Sequence, residues 1–252
     1  MSAELHEWLA SAAGERLLAF ERAQCEQHLA GAFGYHALQL GLPALDALAA
    51  TPIQHRWLAL PEAPAVGDAE VAPEQPSRLA LLALPQALPF AESSLDLVVL
   101  PHTLELCGDA HATLREVQRV LAPEGKVAIT GINPWGVWGW EQQRVRLWRR
   151  MGLQPAPWLP PETKLIAHWR LCDWLRLLGF EVDAVHQSGS SLPVLCRVPA
   201  FSAAYFILAT RRVYGVRPLR SGWRRTRAAP LGATVPSAAS SSGAPQKVPA
   251  DE

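Results

Sequence analysis

Two runs decide the fold: Leu79-Ala80-Leu81-Leu82-Ala83-Leu84-Pro85-Gln86-Ala87-Leu88-Pro89-Phe90-Ala91-Glu92-Ser93-Ser94-Leu95-Asp96-Leu97-Val98-Val99-Leu100, and Leu114-Arg115-Glu116-Val117-Gln118-Arg119-Val120-Leu121-Ala122-Pro123-Glu124-Gly125-Lys126-Val127-Ala128-Ile129-Thr130-Gly131. Leu79 to Leu84 and Leu95 to Leu100 are short, continuous apolar runs, as expected of strands buried on both faces. From His111 to Leu121 the period changes. Leu114, Val117, Val120 and Leu121 fall on one side of a helix, with Arg115, Glu116 and Arg119 elsewhere. Pro123-Glu124-Gly125 reads as a turn and Val127 to Thr130 as the next strand. Strand, helix and strand in that order predict parallel pairing with a right-handed crossover.

The flanks extend this alternation. Leu5, Trp8, Leu9 and Ala12, then Leu17, Leu18, Cys25 and Leu29, predict a helical N-terminal extension over 1–33, broken at Gly31 to Gly34. Tyr35 to Gly41 reads as a first strand, Pro43 to Ala50 as a short helix opened by its proline, and His55 to Leu60 as a second strand. Pro61 to Pro76 is proline-rich and acidic, a loop. Helices are expected over Val137 to Met151 and around Trp169, Cys172, Leu175 and Leu178, the latter closed at Gly179. Phe180 to Val182 and Tyr205 to Ala209 read as an antiparallel edge pair. The main domain is placed at 34–215. The tail, 216–252, is rich in Ala, Ser, Pro and Gly and is expected to be disordered. Its start carries Arg220, Arg224, Arg225 and Arg227 around Trp223, read as a solvated linker or as a contact for RNA or anionic lipid.

The pattern ALPF-(D/E)-x-S-x-D-L-V-V followed by LREV-x-RVL-x-P-x-G resembles the central part of class I S-adenosylmethionine (SAM) dependent methyltransferases, roughly over residues 79–133. It is most similar to the small-molecule branch that includes ubiquinone/menaquinone and malonyl-carrier methyltransferases. The resemblance implies an α/β, Rossmann-like doubly wound sheet of about seven strands with the last strand antiparallel, and SAM as cofactor.

Ligands of such sheets bind at the carboxyl ends of the strands, where the strand order reverses. The first loop of this family usually reads (D/E)-x-G-x-G-x-G. Here it reads Gln39-Leu40-Gly41-Leu42-Pro43-Ala44-Leu45, so only Gly41 remains and Gln39 stands in place of the acid. The ribose anchor falls to Glu62, which otherwise is a surface glutamate of the loop. The adenine-side acid of D-A-x-x-LPF is replaced by Leu84. The backbone of Ala87 and Leu88, and the amide of Gln86, are left as candidate adenine partners. Leu100 and Pro101 complete the expected cofactor wall. His102 follows directly and is read either as a proton acceptor for a substrate, or as a partly buried structural histidine. Asn133, Trp135 and Trp138 are candidates for a substrate wall, or core packing. Losing two charged hydrogen bonds at ~1.5–3 kcal/mol each lowers SAM affinity by ~10²- to 10⁴-fold, so weak SAM binding is expected.

Lys and Arg balance Asp and Glu at 23 each in 252 residues, so no global field recruits nucleic acid. Arg144, Arg146, Arg149 and Arg150 surround Leu147 and Trp148, and on a helix Arg146, Arg149 and Arg150 share a face, read as an exposed charged face or, as the alternative, an RNA site. Neither GxGxxG nor a P-loop is present, which disfavours a dinucleotide. Cys25, Cys107, Cys172 and Cys196 form no CxxC pair, so no zinc site or disulfide framework is expected. No signal peptide or membrane span is read, and a cytoplasmic protein is expected. The leading expectation is SAM-dependent methylation of a small apolar or aromatic molecule at O or C. The alternatives are a catalytically weakened methyltransferase fold that binds or regulates, and, more weakly, RNA methylation.

Overall fold

The computed structural model describes residues 8–61, 78–152, 163–188 and 202–213, all within one compact unit, Met1–Tyr214. Glu62, Cys196 and the tail lie outside the described residues. Seven strands form one sheet: β1 (His36–Leu40), β2 (His55–Leu60), β3 (Arg78–Leu82), β4 (Leu95–Pro101), β5 (Leu121–Ile132), β6 (Phe180–Gln187) and β7 (Ala204–Arg211). Their order is β3-β2-β1-β4-β5-β7-β6. The pairs from β3 through β5 are parallel, and β7 runs antiparallel to both β5 and β6. This is the doubly wound sheet with a reversed last strand expected above. The strand order reverses beside β1, between β1 and β4.

Five helices surround the sheet among the described residues: α1 (Ala12–Leu29), α2 (Thr103–Leu106), α3 (Ala110–Val120), α4 (Val137–Arg150) and α5 (His168–Leu177). One face of the sheet packs Leu38, Val98, Val127 and Ile207 against Leu114, Val117 and Val120 of α3 and Leu171 and Leu175 of α5. The other packs Ala37, Leu97, Val99 and Phe206 against Leu17, Leu18, Cys25 and Leu29 of α1. The N-terminal helix thus shares the core of the sheet. Asp109 caps α3, its Oδ1 accepting from the N–H groups of His111 and Ala112 at 2.9 and 3.0 Å. Gly179, at φ +76, closes α5, its N–H donating to the Arg176 carbonyl at 3.0 Å.

The two decisive motifs are bonded to each other. Arg119 donates to the carbonyls of Leu88 and Phe90 at 3.2 and 3.0 Å, and Glu116 accepts from the Leu88 N–H at 2.9 Å. The Glu116–Arg119 pair, at 2.6 Å, therefore moors the LPF loop onto α3. Asp96 Oδ2 accepts from the N–H groups of Tyr35 and His36 at 2.7 and 3.0 Å, fixing where β1 begins. Pro123-Glu124-Gly125 lies within a register shift of β5, with Glu124 at φ +63. A Cβ on Gly125 would stand 2.8 Å from the Ala122 carbonyl.

Three expectations need correction. Leu79 to Leu84 is not buried on both faces: β3 is the edge strand, and Ala80, Leu82 and Leu84 are exposed. No helix forms over Pro43 to Ala50. The Gln39 amide takes the carbonyls of Gly41, Leu42 and Leu45, which a helix would bond to its own N–H groups. The last two strands, β6 and β7, are longer than the runs Phe180 to Val182 and Tyr205 to Ala209. β6 continues to Gln187 because pairing with β7 holds its alternating, half-exposed residues.

Candidate functional site

The crevice lies at the carboxyl ends of β1, β4 and β5. Gly41 leaves β1 at φ +75. A Cβ there would meet only Thr103 Oγ1, at 3.6 Å, so the positive φ and not crowding requires glycine. His102 leaves β4 at φ +52, an uncommon conformation for a side chain branched beyond Cβ. Its N–H donates to the Thr130 carbonyl at 3.1 Å, which holds that turn against β5. The one-turn helix α2 then brings Glu105 back beneath His102.

Both imidazole nitrogens face carboxylates. Nδ1 lies 3.0 Å from Glu105 Oε2, and Nε2 lies 2.7 Å from Glu21 Oε1 on α1. The Glu21 contact is an ion pair and not a hydrogen bond. All three residues are buried. Glu105 Oε1 also accepts from the Ile132 N–H at 2.6 Å, so the cluster joins β4, β5 and α1. Burial alone lowers an imidazole pKa. The Glu21 charge and the Glu105 hydrogen bond outweigh burial and raise His102 from 6.5 to about 10. Glu105 is raised by burial, opposed by its bond to His102. Near neutral pH the ring is an imidazolium between two carboxyl groups. In this arrangement it has no lone pair to act as a base.

The cavity beside the cluster is lined by Trp8, Leu9, Leu17, Leu42, His102, Glu105, Leu106 and Ile132 and has room for about one water molecule. Leu42 is buried at φ +40 and fills the space after Gly41. The remaining sequence candidates scatter. Leu100 and Pro101 are buried strand residues. Gln86 is exposed on the turn after β3. The backbone of Ala87 and Leu88, expected to be open to adenine, is occupied: Ala87 N–H donates to the Leu84 carbonyl at 3.0 Å, and Leu88 is bonded by Glu116 and Arg119. Asn133 is a turn residue, donating to Ser202 Oγ and accepting from the Trp135 N–H, each at 3.1 Å. Trp138 packs edge-on against Trp8 at 5.3 Å, while Trp135 is exposed, so the two do not form one wall.

Glu21 and Glu105 are site residues that the sequence reading missed. Both left a signal. Glu21 is an acid on the apolar stripe of α1, four residues from both Leu17 and Cys25, and Glu105 stands three residues after His102.

Residues 65–129 match a family model described as a methyltransferase domain. A chain of the Haloferax volcanii complex between the Trm112 methyltransferase activator and a methyltransferase superposes with a TM-score of 0.59 at 15% identity, covering 84% of this chain and 100% of that one. A SAM-dependent methyltransferase of Thermotoga maritima gives 0.56 at 16%, covering 79% and 94%. The [4+2]-cyclase SpnF gives 0.54 at 13%, covering 80% and 82%. The chain has the class I methyltransferase fold. It is also 34% identical over 138 residues to the uncharacterized protein YafS of Escherichia coli (strain K12), covering 51% of this chain and 53% of the relative. The chain thus spans about half the length of the curated relative it matches.

The matched domain and the SAM-dependent neighbours imply SAM as the cofactor of this fold. The described residues do not fit it in this arrangement. Leu42, with Trp8 and with Leu17 of α1, lines the water-sized cavity beside His102. Gln39, which stands where the family usually has an acid, spends its amide on three carbonyls of its own loop. The LPF backbone is committed to α3. Among the described residues, no helix is long and apolar enough to cross a membrane.

Proposed function

We propose that this chain is a catalytically weakened methyltransferase-fold protein that works by binding rather than by methyl transfer from SAM. The observation that carries this reading is the crevice closed by the Glu21–His102–Glu105 cluster and Leu42. A buried, doubly paired imidazolium rigidifies the strand ends and ties them to α1. The imidazolium offers no proton acceptor, and among the described residues the cavity beside it has room for about one water molecule. The chain's own residues therefore do structural work where the fold usually does chemistry. A second reading, methylation of a small apolar or aromatic molecule at O or C, is favoured by the domain match over 65–129 and by Gly41. On that reading α1 would have to leave the crevice.

A methyl-transfer assay separates the two. The purified full-length chain is incubated with SAM carrying a labelled methyl group and a panel of apolar and aromatic hydroxyl and carbon acids. The proposal expects no label in any product above the protein-free background. Transfer that depends on the protein, and is abolished by Gly41→Val, would overturn it in favour of the second reading.

A further inference from the structure

The closed crevice leaves one conspicuous feature outside it. Helix α4 turns Trp138, Gln142 and Val145 inward. Its other side presents Trp140 (62% exposed), Leu147 (55%) and Trp148 (39%), continued by Met151 (59%) just beyond the helix. These positions follow i, i+7, i+8 and i+11, so they lie along one strip of surface. Arg144, at i+4, joins the strip with its guanidinium 5.1 Å from the Trp148 ring. Single exposed apolar residues are ordinary; four aligned on one helix face mark a contact surface. The helix is also cationic. Val137–Arg150 contains Arg144, Arg146, Arg149 and Arg150 against Glu141 alone, a charge of +3 in a chain whose total is zero.

We propose that α4 docks this protein on an anionic phospholipid surface, lying in the interface and not spanning it. Tryptophans beside arginines suit that boundary: the rings enter the headgroup region and the cations meet lipid phosphates. The helix charge is complementary to such a surface. A membrane also fits a strip that is one helix wide and apolar along its length, whereas single-stranded RNA would use stacked rings interleaved with a basic groove. The inference does not depend on whether the crevice transfers methyl groups.

Co-sedimentation of the full-length protein with vesicles tests it. Vesicles of phosphatidylcholine and phosphatidylglycerol at 3:1 are expected to retain the protein. Pure phosphatidylcholine should retain at least ~10-fold less, and retention on anionic vesicles should fall as salt screens the charges. The variant Trp140→Ser/Leu147→Ser/Trp148→Ser/Met151→Ser should lose at least ~10-fold in partition while keeping its circular dichroism. If that variant fails to fold, Leu147→Glu/Met151→Glu replaces it with the same expectation. No retention on anionic vesicles overturns the proposal. So does retention unchanged by either folded variant, which would assign binding to another part of the chain. Salt-sensitive retention on single-stranded RNA without vesicle binding would overturn it in favour of a nucleic-acid surface.

Discussion

His102 combines a left-handed backbone with two carboxylate partners, and its energetics follow from that pairing. Its pKa is raised from 6.5 to about 10, so the folded state binds its proton more tightly than the unfolded state does. That stabilisation is fully present below pH ~6.5 and is lost as pH rises through ~10. Burial raises Glu105 as well, which adds a loss in the same direction. Urea unfolding of the wild type should therefore show stability falling between pH 7 and 10.5, and His102→Gln should flatten the profile. A flat wild-type profile would contradict the pairing. At neutral pH, His102→Ala leaves two carboxyl groups buried without their cation. Breaking a buried pair costs about 3–5 kcal/mol. At ~2–4 °C per kcal/mol for a chain of this size, melting should fall by ~6–20 °C. A variant that melts within 2 °C of wild type would show that the cluster is not a latch.

The loop after β1 is held by one polar side chain, Gln39, and the loop before β4 by two, Glu116 and Arg119, each set reaching several backbone groups. Gln39 donates to the Gly41, Leu42 and Leu45 carbonyls at 3.2, 2.9 and 2.7 Å and accepts from Ala47 N–H at 3.2 Å. An acid at this position would set a carboxylate against carbonyl oxygens. Gln39→Glu should therefore lose more than ~3 kcal/mol in urea unfolding, since each buried group left unsatisfied costs ~1–3 kcal/mol. Equal stability of the two proteins would mean the loop rearranges freely. Glu116→Ala and Arg119→Ala should each cost ~1.5–3 kcal/mol through the LPF loop, and the double variant should cost less than their sum. Strict additivity would place them in separate roles. These bonds also explain how much was legible. The strands Leu95–Pro101 and His55–Leu60 and the helix Ala110–Val120 follow from local apolar period alone. The missing helix after Pro43 does not, because its carbonyls are claimed by a glutamine whose partners lie on its own loop. Nor does the exposure of β3, which depends on its place at the sheet edge.

In the molecule as a whole, α1 and the sheet share a core, and among the described residues the cavity between them has room for about one water molecule. The sequence alone revealed the architecture and the departures from the family pattern around Gly41 and Leu84. It could not reveal what replaced them, because Glu21, Leu42 and His102 are brought together only by the packing of α1 across β1 and β4. On the proposed function, the crevice does not accept SAM. Calorimetric titration of the full-length protein with SAM, and with its demethylated product, tests this most directly. No saturable heat is expected up to millimolar ligand, a dissociation constant weaker than ~1 mM, or about −4.1 kcal/mol. A saturable isotherm with a constant near 10 µM, accompanied by a melting rise of ~5–11 °C at 100-fold excess over it, would contradict the claim and return the chain to the SAM-dependent methyltransferases.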